Sequence, residues 1–305
     1  MSALSPLEGP RFEIDITDER YPRSFCEVRN PPERLYVMGS LEAIQEGLAI
    51  IGARKATPYG LDATSRFARM AAEAGIPIIS GGARGCDSAS HRAALEVGGI
   101  TIAVLGGGID ELYPKENRRL FQQIIDGGGA VISEHAWDVA PRPYYFRARN
   151  RIIAGASKAT LIIEAGMPSG TFSTADEALG SGKAVLAVPG SINSHASLGA
   201  NMLIYQGATP VVDEGTFEDQ LRALFDIDRA VAQKRITEVE RIGPGTETLM
   251  NALRSEALTL DELLPIAMRC SGDETPLNWL LKTISKLQQK GLVARGADGR
   301  YLSHL

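Results

Sequence analysis

Along the first two thirds of the chain, short apolar runs alternate with polar stretches that carry glycine. The runs fall at residues 35–38, 48–51, 76–79, 100–105, 130–132, 160–163, 184–188 and 210–212. Several are continuous and rich in isoleucine and valine, which suits strands buried on both faces of a parallel sheet. Helical patterns lie between them. Residues 60–74 (GLDATSRFARMAAEA) put Leu61, Phe67 and Met70 near one face, and Gly75 stops the segment. Residues 87–97 repeat the plan and stop at Gly98 and Gly99, while 116–125, 171–179 and 201–205 are further helical segments. Strand–helix alternation with short glycine turns predicts an α/β fold built on a Rossmann-like, doubly wound, mostly parallel sheet.

After Val212 the pattern changes. Residues 213–245 are acidic, end in Gly243, Pro244 and Gly245, and read as a helix followed by a linker. Three helical patterns follow at 246–256, 259–268 and 275–290. Two short runs, 292–295 and 300–303, then flank a turn at Ala297, Asp298 and Gly299. Three helices and a hairpin with an Asp-Gly turn are the layout of a winged helix. The expected organisation is an N-terminal lead-in packed on the sheet (1–45), a Rossmann-like domain (46–230), a linker (231–245) and a winged-helix domain (246–305).

Composition narrows the function classes. The 305 residues are 44% apolar, enough for a sizeable core, and 23% charged. Thirty-two lysines and arginines against 37 aspartates and glutamates give a net charge of -5. That excludes a globally basic nucleic-acid coat and leaves room for a local basic patch. Cys26, Cys86 and Cys270 are odd in number and far apart, so neither a disulfide framework nor a CxxC metal site is expected. No stretch approaches the ~18 apolar residues of a membrane span, and MSALSPLEGPRFEID lacks the basic start and apolar core of a signal peptide. The expectation is a cytoplasmic protein without a membrane segment.

Ligands of doubly wound sheets sit beyond the carboxyl ends of the strands. Five glycine-bearing loops fall there, at 51–60, 80–87, 105–117, 164–178 and 188–193. A glycine turn leading into a helix exposes backbone N–H groups beside the positive end of the helix dipole, which favours anions. Arg54 and Arg84 stand in two of these loops and Lys115 in a third. Any one such loop is as readily a plain turn, but several on one edge, each with a basic residue, favour a polyanion site. Between Asp138 and Glu164 there is no acidic residue, while Arg142, Arg147, Arg149, Arg151 and Lys158 supply five positive charges among Tyr144, Tyr145 and Phe146. Cations that track phosphates and rings that stack on bases suit a single strand of nucleic acid. The competing reading tucks the aromatics under the sheet and sets Arg151 on a carboxylate.

Catalytic signals are poor. No GxxxxGK[ST], GxGxxG or GxSxG occurs. His91 follows Asp87 by four residues, so the two could pair on a helix, although Asp87 is more simply an N-cap. His135, His195 and His304 have no metal-ligand spacing, so no metal, cofactor or catalytic residue is expected.

Taken together, the loops resemble the DprA (Smf) family of DNA-processing proteins. The resemblance rests on IIGARKATPYG (50–60), ISGGARGCDSASHRAAL (79–95), TIAVLGGGIDELYPKEN (101–117), ISEHAW (132–137), FRARNRIIAGAS (146–157), IIEAGMPSGTFSTADEALGSGKAVLAVPG (162–190) and LGANMLIYQGA (198–208), with YPRSFCEVRNPPERLYVMG (21–39) upstream. It implies a Rossmann-like protein that binds single-stranded DNA without cutting it, acts as a homodimer, and loads the RecA recombinase in natural transformation and recombination. It also implies that Arg54 and Lys115 contact phosphate, with Gly52, Ser80, Gly81, Arg84, Asn117, Arg147, Arg149, Asn150, Arg151, Ser169, Gly170 and Thr171 in or near the strand's path. No residue can be assigned to RecA contact. Where the family turn reads SGLARGID this chain has Gly82 and Cys86, changes expected to soften the packing behind the loop while leaving binding intact.

Two alternatives remain. A fainter likeness extends to LOG-type phosphoribohydrolases, whose PGGxGTxxE loop stands where this chain has SGTFSTADEA, with its acid displaced to Asp176 or Glu177. A sequence-specific regulator would use 275–290 as a recognition helix. That segment offers Lys282, Lys286 and Lys290 but no arginine to read guanine.

Overall fold

The computed structural model describes residues 6–28, 30–167, 170–225, 227, 245–272, 274–289, 292–296 and 299–303. It divides into two compact units, Met1–Ile227 and Asp228–Leu305. Among the described residues no helix is long and apolar enough to cross a membrane.

The first unit is built on a nine-stranded sheet. Its strands are β1 (Arg11–Asp15), β2 (Arg34–Gly39), β3 (Gly47–Ile51), β4 (Ile78–Ser80), β5 (Thr101–Val104), β6 (Ala130–Ser133), β7 (Ser157–Ile162), β8 (Ala184–Ala187) and β9 (Thr209–Pro210). Their spatial order is β1-β2-β6-β5-β4-β3-β7-β8-β9. The seven strands from β6 to β9 run parallel, whereas β2 pairs antiparallel with β6 and β1 pairs antiparallel with β2. The lead-in therefore joins the sheet as its antiparallel edge, where the sequence predicts a segment packed on it.

Both faces are covered because alternate residues of the central strands feed different cores. In β3, Leu48 and Ile50 pack with Phe67, Ala71 and Phe217, while Ala49 and Ile51 pack with Ile152, Ile153 and Ala175. The helices on the first face include α2 (Pro58–Glu73), α3 (Cys86–Glu96) and α8 (Glu214–Leu224). Those on the second include α5 (Pro143–Gly155), α6 (Thr171–Gly180) and α7 (Leu198–Tyr205). The short α1 (Arg23–Cys26) buries Phe25, and α4 (Arg118–Asp126) buries Leu120, Phe121, Ile124 and Ile125.

Strand order reverses between β3 and β7. From β3 the chain winds outward through β4, β5 and β6, then returns along α5 to pair β7 with the other side of β3. The loops after β3 and β7 thus diverge to opposite faces and leave a crevice at their carboxyl ends, the position at which such sheets hold ligands.

The second unit holds α9 (Thr246–Ser255), α10 (Leu260–Cys270), α11 (Pro276–Gln289) and an antiparallel pair, β10 (Val293–Arg295) with β11 (Tyr301–Ser303). Leu258 adds a bridge to Tyr301. Its core gathers Leu249, Leu253, Leu263, Trp279, Leu280, Ile284 and Tyr301. The capping box of Thr259 and Glu262 starts α10. Most of the expected linker (231–244), and Ala297 and Asp298 of the expected turn, lie outside the described residues.

Candidate nucleic-acid interface

The crevice contains a cavity of about 400 Å³ lined by Gly52, Arg54, Asp87, Phe146, Arg147, Arg149, Asn150, Gly170 and neighbouring residues. Its first wall is the turn after β3. A side chain on Gly52 would strike Cys86 at the start of α3, so glycine lets the strand end lie directly on that helix. Arg54 follows, exposed, its guanidinium carbon 5.6 Å from the centre of the Phe146 ring. The Phe146 ring also meets the loop after β5: Tyr113 lies 5.3 Å away between ring centres, and Lys115 is exposed two residues later. Phe146 so links the two loops that carry the best-placed cations.

The loop after β4 is held from beneath. Gly82 has a φ of 65°, and a Cβ on it would lie 2.6 Å from the Phe121 ring. Fully buried Phe121 occupies the space behind the turn, so the packing expected to soften there is filled. Arg149 runs under the loop with 5% of its surface exposed. It donates to the carbonyl of Gly81 at 2.8 Å and to that of Val104, the closing residue of β5. Burial lowers the Arg149 pKa to about 10, partly opposed by Asp87. Asp87 is raised by burial and held down in part by Arg149 and by the Ala83 N–H, which donates to it at 3.3 Å.

Several residues expected along the strand's path are structural. Arg149 is not a surface cation, because its guanidinium serves the carbonyl ends of the sheet. Arg151 grips Glu134 through two hydrogen bonds of 3.0 and 2.6 Å and donates to the carbonyls of Asn30 and Ala148. Asn117 is buried, with its amide donating at 2.9 Å both to the Gly82 carbonyl and to Ser88. Ser80 is buried and donates to the Ile50 carbonyl at 2.7 Å, tying β4 to β3. Gly81 lies against the Arg149 guanidinium. Arg84 is exposed, but its charge is met by Glu116 of the neighbouring loop.

Arg147 and Asn150 do line the cavity from α5, Arg147 exposed and Asn150 with its amide 3.5 Å from the Gly170 carbonyl. Gly170 opens α6 beside them. Ser169 and the side chain of Thr171 lie outside the described residues. Of the charged groups around the cavity three are arginines and one, Asp87, is a carboxylate, so its field favours anions. Asp176 and Glu177, the acids of the hydrolase reading, are not among the lining residues. Beyond Phe146, the rings of Tyr144, Tyr145 and His135 make tilted contacts at 4.4 and 3.9 Å, with Tyr144 more than half exposed.

Two expectations about polar pairs change. Asp87 is not the N-cap of α3, a position held by Gly85. His91 is buried and meets Thr101 at 2.7 Å instead of Asp87. Sequence reading also missed Glu164. Buried just past β7, it accepts from the Thr57 N–H at 2.9 Å and from the Thr57 hydroxyl at 2.5 Å. Thr57 in turn caps α2 by accepting from Gly60 N–H, and a side chain on Gly60 would overlap the Glu164 carboxylate.

Comparison with known proteins places this geometry among relatives. Residues 13–222 match the family model of DNA recombination-mediator protein A. The chain is 41% identical over 214 residues to Protein Smf of Escherichia coli, a match covering 70% of this chain and 57% of that protein. It is 31% identical over 327 residues to Protein Smf of Synechocystis sp., covering 96% and 80%. Among solved structures, DNA processing protein A of Streptococcus pneumoniae superposes with a TM-score of 0.65 at 35% identity, over 70% of this chain and 74% of that one. DNA processing protein A of Helicobacter pylori, whose structure was determined for its single-stranded DNA binding mode, gives 0.64 at 28% identity, over 72% and 99%.

Proposed function

The chain belongs to the DNA recombination-mediator protein A (DprA/Smf) family, and on that premise we propose that it binds single-stranded DNA across the glycine rim of its first unit and cleaves no bond. The observation that carries this reading is the disposition of Arg54 and Lys115. Both are exposed on loops at the carboxyl edge of the sheet, Arg54 lies against Phe146 while Lys115 follows Tyr113, the partner of that ring, by two residues, and among the described residues neither forms an ion pair. Unpaired cations on loops joined by a pair of rings suit a strand whose phosphates and bases alternate.

In this mechanism Arg54, Lys115 and Arg147 hold phosphates as charge, and the N–H groups of the glycine turns add hydrogen bonds. Phe146, Tyr144 and Tyr145 offer faces for bases. Arg149, Arg151, Asn117 and Ser80 keep the rim in shape without touching DNA. The relatives' name, DNA processing protein, supports a role in handling incoming or exposed strands in transformation and recombination. We extend the reading to a cytoplasmic homodimer that passes the strand to the RecA recombinase, and to a winged-helix identity for residues 246–305.

The test is a gel-shift titration of an unstructured oligonucleotide. Arg54→Ala and Lys115→Ala are expected to weaken binding of all sequences about equally. Unchanged affinity in the double variant sinks this site. Release of free base from a nucleoside monophosphate by the purified protein overturns the non-catalytic reading. Sedimentation of the full chain tests the dimer, and displacement of single-strand-binding protein by RecA, with and without the chain, tests the loading.

A further inference from the structure

The second unit carries a surface that strand binding by the first does not use. Helix α11 holds five leucine and isoleucine residues, and three of them, Leu280, Ile284 and Leu287, are buried in the core of that unit. The other two are not: Leu277 is 51% exposed and Leu281 46%. A single exposed leucine is ordinary. Two spaced by four residues are neighbours on one face of the helix and form a ridge. On α10, which packs against α11, Met268 is 65% exposed as well. Apolar side chains gathered in this way on a small unit mark a contact surface.

The outer face of α11 has a second edge. Lys282 and Lys286, again four residues apart, are exposed there, and the exposed Asn278 and Ser285 lie between them and the leucines. No acidic residue occurs in Pro276–Gln289. Lys282 meets Glu274 at 3.3 Å in a surface pair, and such pairs hold a charge only weakly. Among the described residues Lys286 forms no ion pair. A ridge of leucine beside a ridge of ammonium groups defines its complement, which must carry apolar side chains on one flank and carboxylates on the other. Duplex DNA satisfies the lysines but leaves the leucines in water. A second copy of α11 brings leucines but no countercharge, since the helix has no acid to offer.

We propose that the outer face of α11 is a docking surface for an acidic, amphipathic peptide segment of another protein, with apolar anchors on Leu277 and Leu281 and carboxylates on Lys282 and Lys286. An amphipathic segment laid along a helix face is read through anchors at the spacing these residues have. The leucines supply the buried area, and the lysines select the sign of the partner. The surface lies wholly within the second unit and shares no residue with the rim, so it stands whether or not the first unit binds a strand.

The experiment is fluorescence anisotropy of the full chain with a panel of labelled peptides of about twelve residues, rich in glutamate and carrying leucine, isoleucine or phenylalanine anchors four residues apart. Each has a counterpart with lysine for glutamate and another with serine for the anchors, and a short DNA duplex completes the set. At least one acidic peptide is expected to bind about tenfold or more tighter than both of its counterparts. Leu281→Ser should weaken it about tenfold. Lys282→Glu with Lys286→Glu should abolish its binding and shift the preference to the lysine peptide. All three positions are exposed, and an unchanged unfolding midpoint confirms that each variant folds. No acidic peptide bound above its counterparts, or binding that neither variant alters, overturns the proposal. So does duplex binding lost with the two lysines while no peptide binds, which assigns the face to DNA. Self-association of the chain that Leu281→Ser removes, again without peptide binding, assigns it to a second copy. Loss of oligonucleotide binding in Arg54→Ala with peptide binding intact bears on the rim alone.

Discussion

Arg147, Arg149 and Arg151 stand two residues apart on α5 and have three different fates. Successive steps of two turn the side chain by about 200° on a helix, so one arginine reaches the cavity mouth, one is buried beneath the rim and one braces Glu134. Burial acts as strongly on His91. Thr101 donates its hydroxyl to the Ile78 carbonyl, so His91 must carry its proton on Nδ1 to donate to Thr101, leaving Nε2 buried without a partner. Burial and nearby arginines lower its pKa from 6.5 to about 3. A depressed folded pKa means a contribution fully present above pH ~6.5 and lost as pH falls toward 3, on the order of 5 kcal/mol at its limit. Thermal unfolding from pH 7 to 4 is expected to show a steeper loss of stability in the wild type than in His91→Leu, and parallel curves would refute it. At Gly82 the constraint is steric. Alanine there meets both a left-handed backbone and the Phe121 ring, so Gly82→Ala should cost about 1–3 kcal/mol in denaturant unfolding.

At the scale of elements, α5 decides how the site is assembled. It supplies Phe146, Arg147 and Asn150 to the cavity and fixes its own position through Arg151, whose partner Glu134 lies just past β6. Both side chains are 15% exposed, and removing one partner of a buried pair costs about 3–5 kcal/mol. Arg151→Ala should therefore lower the unfolding midpoint markedly, yet leave the affinity of the still-folded protein for an oligonucleotide within about twofold. An affinity loss matching that of Arg54→Ala would return Arg151 to the DNA-contacting set. The sequence pattern revealed the parallel strands because Leu48–Ile51 and its counterparts bury both faces and so read as continuous apolar runs. It did not reveal α5, whose buried apolar positions are confined to Ile152, Ile153 and Ala154 at its end, behind three aromatics and three arginines. Nor did it reveal β1, an edge strand with a single buried residue, Ile14. The exposure of Arg54 and Lys115 was legible from their place in glycine-bearing loops beyond strand ends, but the burial of Arg149 and Glu164 was not. A buried charge looks in sequence like any other, and its partners are backbone groups distant along the chain.

On the scale of the whole molecule, a net charge of -5 must be squared with the proposed strand-binding rim. Repulsion between an acidic protein and DNA is screened beyond ~8 Å at physiological salt, so the exposed Arg54, Lys115 and Arg147 of the rim can outweigh the excess locally. If a protomer neutralises ~4 phosphates, log affinity for single strands should fall with log salt at a slope of about -3, and Arg54→Ala with Lys115→Ala should halve that slope. A salt-independent affinity would show that the rim does not act as charge. Since Met1–Ile227 has its own cores and contains every residue of the cavity, a chain ending at Ile227 should fold cooperatively and keep most of its strand affinity. Loss of cooperative unfolding in that fragment would contradict it. The Glu164–Thr57 contact bears on how such binding proceeds. It bolts the loop after β7 to the loop after β3, the two jaws of the crevice, through a carboxylate that also seats α2. The aperture is thereby set in advance, and adaptation falls to the guest. A duplex, with a persistence length of about 50 nm, has little compliance to offer; an unpaired strand can thread and fold itself to fit.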